Sequence, residues 1–450
     1  NVEYLEELDR GLDFREDLLV PGTFLLEMDA ASPGFLGATL DPARTFDSAA
    51  AQRSFAEASA RPVRIEVKTR LDAAAETYLV ERADRSATII AGYPWFTDWG
   101  RDTMISLPGL VIARGQGDTA RRVLEGFLKH LDGGLVPNRF PDAAGPAEYN
   151  TADATLWMFQ AVHALDRAGD ASKFLGDTFY PAALTILDAH QRGTHHGIRV
   201  DPADGLLIAG DAGSNLTWMD ARVDGAPVTP RHGKPVEINA LWYNALRLTA
   251  GWAQQLGDEG RIVELEREAE RVRSSFDGAF WNEQRGVCFD VILPEGPDAR
   301  MRPNQLLALG LPFPLLDVER RHRVLSAVEA TLLTPVGLRT LAPGDPGYRP
   351  VYRGGPSERD RAYHQGLVWP WLIGPYVDAL FAVRGEGAGT QMRARSALAG
   401  LLSRLDAGCL GQLPECFEAE PPFREVCAPA QAWSVAEVLR VLVRLGTVEI

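Results

Sequence analysis

The first thing this sequence is short of is positive charge. Against 61 acidic residues stand 46 lysines and arginines, a formal net charge of −15. Nucleic acid and anionic membrane surfaces reward the opposite balance, so neither is expected as a partner. No apolar run is long enough to span a bilayer, and no basic-then-apolar leader opens the chain. Metal and nucleotide signatures are missing too. There is no H-E-x-x-H, no C-x-x-C, no G-x-x-x-x-G-K-[ST], no G-x-G-x-x-G after a strand and no G-x-S-x-G. No metal or cofactor is therefore expected. Four cysteines (Cys288, Cys409, Cys416, Cys427) in 450 residues favour thiols over disulfides in a reducing compartment, which points to the cytoplasm. Asn1 opens directly into a charged segment, as if an upstream portion were missing, and the numbered chain reads as a fragment of a longer gene product.

What is present is the composition of a globular protein, 46% hydrophobic and 24% charged. To about Ala60 the pattern is poorly periodic. Asp17–Met28 reads as two short strands broken by Pro21-Gly22, and residues 43–60 as a linker or connecting helix. From about Val63 helical periodicity takes over. Val123, Leu124, Phe127, Leu128 and Leu131 mark one face of a helix over 118–131. Similar patterns occupy 67–82, 103–114, 151–167, 172–192, 239–256, 259–280, 303–309, 317–333, 363–384, 390–405 and 430–445, with few convincing strands. Twelve helices in antiparallel pairs can close into an all-α (α/α)6 barrel whose inner-to-outer loops form a mouth. The change of pattern divides the chain into 1–62 and 63–450.

Between Gly92 and Asp102 stand four aromatics, two carboxylates and an arginine (Tyr93, Trp95, Phe96, Asp98, Trp99, Arg101, Asp102). Aromatic faces interleaved with fixed charges are what a pocket needs to stack a sugar ring and hydrogen-bond its hydroxyls. Further loops repeat the mixture: Val136–Pro141, Glu148–Asp153, Leu216–Ala221, Thr229–Trp242, Tyr363–Trp371, Leu413–Glu415 and Gln431–Trp433. The chain thus reads as an enzyme acting on carbohydrate. Glycoside hydrolysis needs two carboxyl groups, one of them kept protonated by apolar neighbours. Asp220, beside Trp218 and Met219, has such neighbours, and Glu237 is its rival. For the second carboxylate Glu415 is the candidate in the last third, with Glu418 as the alternative. His364 suits a sugar contact or a plain hydrogen bond better than a metal.

At these residues the sequence resembles the C-terminal glucosidase domain of glycogen-debranching enzymes, the amylo-α-1,6-glucosidase family. The blocks Gly92–Thr103, Pro137–Pro141, Thr217–Asp220, Thr229–Ala240, Tyr363–Gly366, Trp369–Trp371 and Ala430–Arg440 carry the likeness and run in the family's order over about residues 65–450. The resemblance implies an (α/α)6 barrel and an inverting, metal-free mechanism. It makes Asp220 the general acid, Glu415 the general base, and Arg101 with Asp102 the clamp on the terminal glucose. An inverting pair stands roughly 6.5–9.5 Å apart, leaving room for a water. Trp95, Trp99, Trp218, Trp369 and Trp433 are the expected pocket walls, with Phe96 and Asp98 beside them. Asn138, Arg139, Lys234, Glu237, Asn239, His364, Gln365 and Gln431 are the expected polar shell. The segment after Glu415 (Cys416–Arg424) departs from the family's pattern. Only the stretch before Ala60 corresponds to its usual β-rich N-terminal domain, so the resemblance makes 1–62 a remnant of that domain with its linker and 63–450 the catalytic domain.

The expected activity is removal of α-1,6-linked glucose from branch points of glycogen or a related α-glucan. The alternatives are an (α/α)6 glycosidase for trehalose or glucosyl-glycerate type compounds, and a non-catalytic glucan-binding protein. The expected partner is an α-glucan or small glucoside. Oligomeric state cannot be read from the sequence.

Overall fold

Two kinds of helix alternate along the chain. Glu259–Phe280 is charged on most of its surface and buries one stripe, Leu265, Ala269, Val272, Phe276 and Phe280, at helical spacing. Its start is capped by Asp258, whose side chain accepts from the Arg261 amide. Val236–Leu256, just before it, is buried at every position from Val236 to Leu246. A helix that is apolar all round belongs in the interior, and one with a single stripe belongs on the outside.

The computed structural model describes residues 67–446 except 83, 142–144 and 410, together with isolated positions (2–3, 15–16, 47, 49–50 and 53). The strands expected within Asp17–Met28 and most of the 43–60 stretch lie outside the described residues. Six inner segments follow one another round a closed ring: Gly100–Leu110, Ala154–Arg167, Val236–Leu256, Leu307–Gly310, Ile373–Arg384 and Ala432–Arg444. Each packs on the next, and the last returns to the first. Six outer helices alternate with them and pack against the ring: Val67–Tyr78, Gly117–Leu128, Tyr180–Arg192, Glu259–Phe280, Val318–Thr331 and Ala388–Leu402. This is an (α/α)6 barrel, as expected. Among the described residues no helix is long and apolar enough to cross a membrane.

The loops that enter the inner helices are stapled to each other by short strands. Gly92–Tyr93, before the first inner helix, pairs antiparallel with Ala430–Gln431, before the last. Ring closure is therefore repeated at the mouth. A five-stranded antiparallel sheet (Leu333–Thr334, Gly337–Arg339, Val368–Trp369, Cys416–Phe417, Glu425–Val426) ties the loop before Ile373–Arg384 to the loop before Ala432–Arg444. These strands carry two or three residues each, too few for a period-two pattern to show in the sequence.

One expected helix is broken. The 363–384 stretch begins in a separate helix, Pro356–Tyr363, passes through the strand Val368–Trp369, and resumes as a 3-10 turn at Pro370–Leu372 before Ile373–Arg384. Gly366 has φ +148°, and Pro370 supplies no amide donor. Both interrupt a helical ladder that the apolar spacing alone would continue.

Where the first and last inner helices cross, the backbones touch. A Cβ on Gly109 would fall on the Ala436 carbonyl oxygen. Gly109→Ala is expected to destabilise the fold by about 1–3 kcal/mol, the cost typical of overpacking. Urea unfolding of the variant measures this, and an unchanged midpoint would show that the two helices separate without cost.

Candidate active site

Arg101 stands in the first turn of Gly100–Leu110 with its guanidinium almost wholly buried. Its Nε donates to Asp153 Oδ1 at 2.7 Å, and its Nη1 to Asp220 Oδ2 at 2.9 Å. Nη2 reaches Thr151 Oγ1 at 3.3 Å, and the Thr151 hydroxyl donates to Asp153 at 2.7 Å. One arginine thus joins the mouth loops before three inner helices. Burial weakens its charge, but the adjacent Asp153, Asp220 and Asp102 carboxylates more than offset this and hold it protonated.

The cavity above it has a volume of about 1020 Å³. Phe96, Trp99, Arg101, Asp102, Trp218, Asp220, Trp369, Glu415, Gln431 and Trp433 line it, so ten of the residues singled out in the sequence meet there. Several of them sit at or just before the starts of inner helices, where the helix dipole is positive and favours carboxylates. The Asp220 side chain keeps 36% exposure toward the cavity. Dehydration in the cavity raises its pKa, and Arg101 limits the rise. Asp102 goes further. Burial is the main cause, with Asp220 and Glu415 adding repulsion and Arg101 opposing, and its pKa is lifted to about 8.

Glu415 arrives from the opposite side of the ring, one residue before the strand Cys416–Phe417. Tyr363 Oη donates to its Oε1, and the Ala428 amide donates to its Oε2 at 3.0 Å. A carboxylate gripped on both oxygens holds one orientation. Tyr363 is in turn fixed by Trp369, whose indole donates to the Tyr363 carbonyl at 3.0 Å. The aromatic wall is continuous. Trp218 meets Trp369 edge-on at 5.3 Å and Trp371 at 5.1 Å, Trp369 meets Trp433 at 5.6 Å, and Trp371 stacks on Trp433 at 5.4 Å.

The other residues picked from the sequence do not line the cavity. Glu237 is buried in an ion pair with Arg231, which also holds Asp290. Asp290 accepts from Asn304, and Asn304 Oδ1 accepts from the Trp218 indole at 2.8 Å. Glu237 therefore braces the residue two before Asp220. Lys234 is spent on Asp201 and Asp204 at 2.7 and 2.5 Å, and Asn239 on both backbone groups of Leu207. Asp98 pairs with Arg82 and Thr88. Arg139 pairs with Glu148 at 2.7 Å and lies over the Trp99 ring. Asn138 reaches the pocket-lining Asn150 at 3.4 Å. Gln365 links Thr229 and Arg302 at 2.7 and 3.0 Å. His364 stacks on Trp369 with its pKa pushed well below 6.5 by burial and by three arginines, so it is a neutral wedge. Trp95 is half-buried and does not line the cavity. Glu418 is buried against Arg353 and Arg424, also off the cavity.

Asp153 and Tyr363 were passed over in the sequence. Asp153 directly precedes an apolar helix and reads as a plain cap, although no cap hydrogen bond forms. Tyr363 is hidden by its neighbour His364, whose type attracts attention first. Both lie inside blocks whose composition already marked them.

Comparison with known proteins identifies the family. The family model of amylo-alpha-1,6-glucosidase matches residues 73–440. The glycogen debranching enzyme of Saccharomyces cerevisiae is 28% identical over 384 residues, an alignment taking in 65% of this chain and 25% of the yeast protein. A periplasmic trehalase of Citrobacter koseri is 30% identical over 127 residues, 27% of this chain and 21% of the trehalase. The chain thus spans about a quarter or less of the curated relatives it matches. Among solved structures, a family 63 mannosylglycerate hydrolase of Thermus thermophilus in complex with glucose superposes with a TM-score of 0.59 at 16% identity, covering 84% of this chain and 99% of that one. An uncharacterized conserved protein of the same organism gives 0.61 at 15% identity, with 84% and 99% coverage. The chain belongs to the amylo-α-1,6-glucosidase family and is a glycoside hydrolase.

Proposed function

We propose that this chain hydrolyses α-1,6-linked glucose at branch points of glycogen or a related α-glucan, with inversion at the anomeric carbon. The observation that carries the reading is the pair Asp220 and Glu415, delivered by different mouth loops into one cavity walled by tryptophans. Asp220, its proton favoured by dehydration, gives that proton to the glycosidic oxygen as the bond breaks. Glu415, oriented by Tyr363 and Ala428, takes a proton from the water that attacks the anomeric carbon. Arg101 fixes Asp220 and limits the rise of its pKa. Asp102, holding a proton near neutral pH, offers a donor to a sugar hydroxyl. A volume of about 1020 Å³ lies just above the roughly 300–1,000 Å³ of small-ligand sites, which supports an oligosaccharide.

The likeness to a trehalase over 127 residues supports a second reading, hydrolysis of a disaccharide or glucosyl-glycerate type compound by the same two carboxyl groups. NMR-monitored hydrolysis separates the two. With a singly α-1,6-glucosylated maltooligosaccharide we expect β-glucose as first product, and a loss of about 10²–10⁴-fold in kcat for Asp220→Asn and for Glu415→Gln. Glucose released only from trehalose or glucosyl-glycerate would decide for the second reading, and α-glucose as first product would reject inversion.

A pH dependence follows from Asp102. Its folded pKa of about 8 lies above the unfolded value of about 3.9, so between them the folded state keeps a proton that the unfolded chain releases. The stabilisation is complete below about pH 4 and is lost as pH rises through about 8. Asp102→Asn removes the dependence. Its stability relative to the wild type should improve by about 1 kcal/mol or more between about pH 5 and about pH 8. Denaturant titrations at the two pH values check this, and a constant difference would mean that Asp102 is ionised throughout.

A further inference from the structure

The mouth sheet places two thiols beside Glu415. Cys416–Phe417 pairs antiparallel with Glu425–Val426, Cys416 opposite Val426, and Cys427 follows directly. One carboxylate oxygen of Glu415 and the sulfurs of Cys416 and Cys427 all lie within 4.8 Å of one another. Neither cysteine is in a disulfide. Cys427 has φ +66°, a left-handed conformation that a side chain with a Cβ seldom adopts. Such conformations gather at functional sites, where the surrounding structure enforces them.

We propose that Glu415, Cys416 and Cys427 form an inhibitory site for a soft divalent cation of the zinc class. Two thiolates and a carboxylate suit zinc or cadmium and are poor ligands for magnesium or calcium. With Zn–S near 2.3 Å and Zn–O near 2.0–2.2 Å, donors on one tetrahedral ion stand roughly 3.3–3.8 Å apart, so closure of at most about 1–1.5 Å brings the three donors onto one ion and leaves its fourth position to water. Glu415 lines the cavity and gives the ion its way in. Binding releases the two thiol protons, one for each sulfur–metal bond formed, and so strengthens as pH rises. A cation on the Glu415 carboxylate takes the electron pair that would accept the proton of water. This consequence rests on Glu415 acting as the base, whereas the site itself does not.

The test is a cadmium titration of the full chain, alongside Cys427→Ser and Cys416→Ala. We expect one equivalent of cadmium to produce the ultraviolet sulfur-to-cadmium band, with the band lost in both variants. Zinc should inhibit hydrolysis reversibly to added chelator, and the half-inhibiting concentration should rise at least about tenfold in Cys427→Ser. No band in the wild type, or a band unchanged in both variants, would overturn the site. A band that depends on the cysteines without any loss of activity on zinc addition would leave the site standing. It would overturn the inhibition, whereas the loss of hydrolysis in Glu415→Gln tests the base separately.

Discussion

The buried bridge from Arg101 to Asp153 and Asp220 is the interaction on which the rest of the site depends. A guanidinium taken out of water is costly unless opposite charges and hydrogen bonds meet it, and removing one partner of such a pair costs about 3–5 kcal/mol. Here the compensation comes from the loops before the second and third inner helices, so Asp220 is set in place only when the first three inner helices have come together. The same bridge divides the carboxyl groups by environment. Asp220 shares its charge with Arg101, Asp102 is dehydrated, and Glu415 receives a tyrosine hydroxyl and an amide.

Behind the cavity a second arginine repeats the device. Arg231 joins Glu237 and Asp290, and through Asn304 the network reaches the Trp218 indole. A neutral His364 wedged against Trp369 carries the packing toward Tyr363. Positioning on this scale serves the chemistry, because a catalytic group displaced by about 1 Å can lose 10²-fold in rate. The outer helices contribute little of this directly. They cover the ring and leave its mouth loops to carry the function, a division common to scaffolds that place variable loops on a rigid frame.

Much of the architecture was legible in the chain. Apolar spacing at i, i+3 and i+4 located each helix of the two rings, because burial of a helical stripe writes a period into the sequence. The two- and three-residue strands left no such mark, and the break at Gly366 and Pro370 was masked by the apolar residues around it. At the site, composition flagged the right loops. It did not tell a residue that faces the cavity from one that supports it. Glu237 stands in the sequence as the rival of Asp220, and Lys234 as one of the polar shell, yet both are consumed in ion pairs away from the cavity.

The sequence by itself determined the helical periodicity, the family-bearing blocks and the stock of carboxylates, arginines and tryptophans, since each of these is a local property. Only the tertiary structure decided which of them meet. Arg101 and Asp220 are 119 residues apart, and Tyr363 and Glu415 are 52 apart. Cys416 and Cys427, with no metal-binding spacing between them, come together with Glu415 because antiparallel pairing folds one strand back on the other. Burial, which sets the charge state of Asp102 and the neutrality of His364, exists only once the ring closes and excludes water.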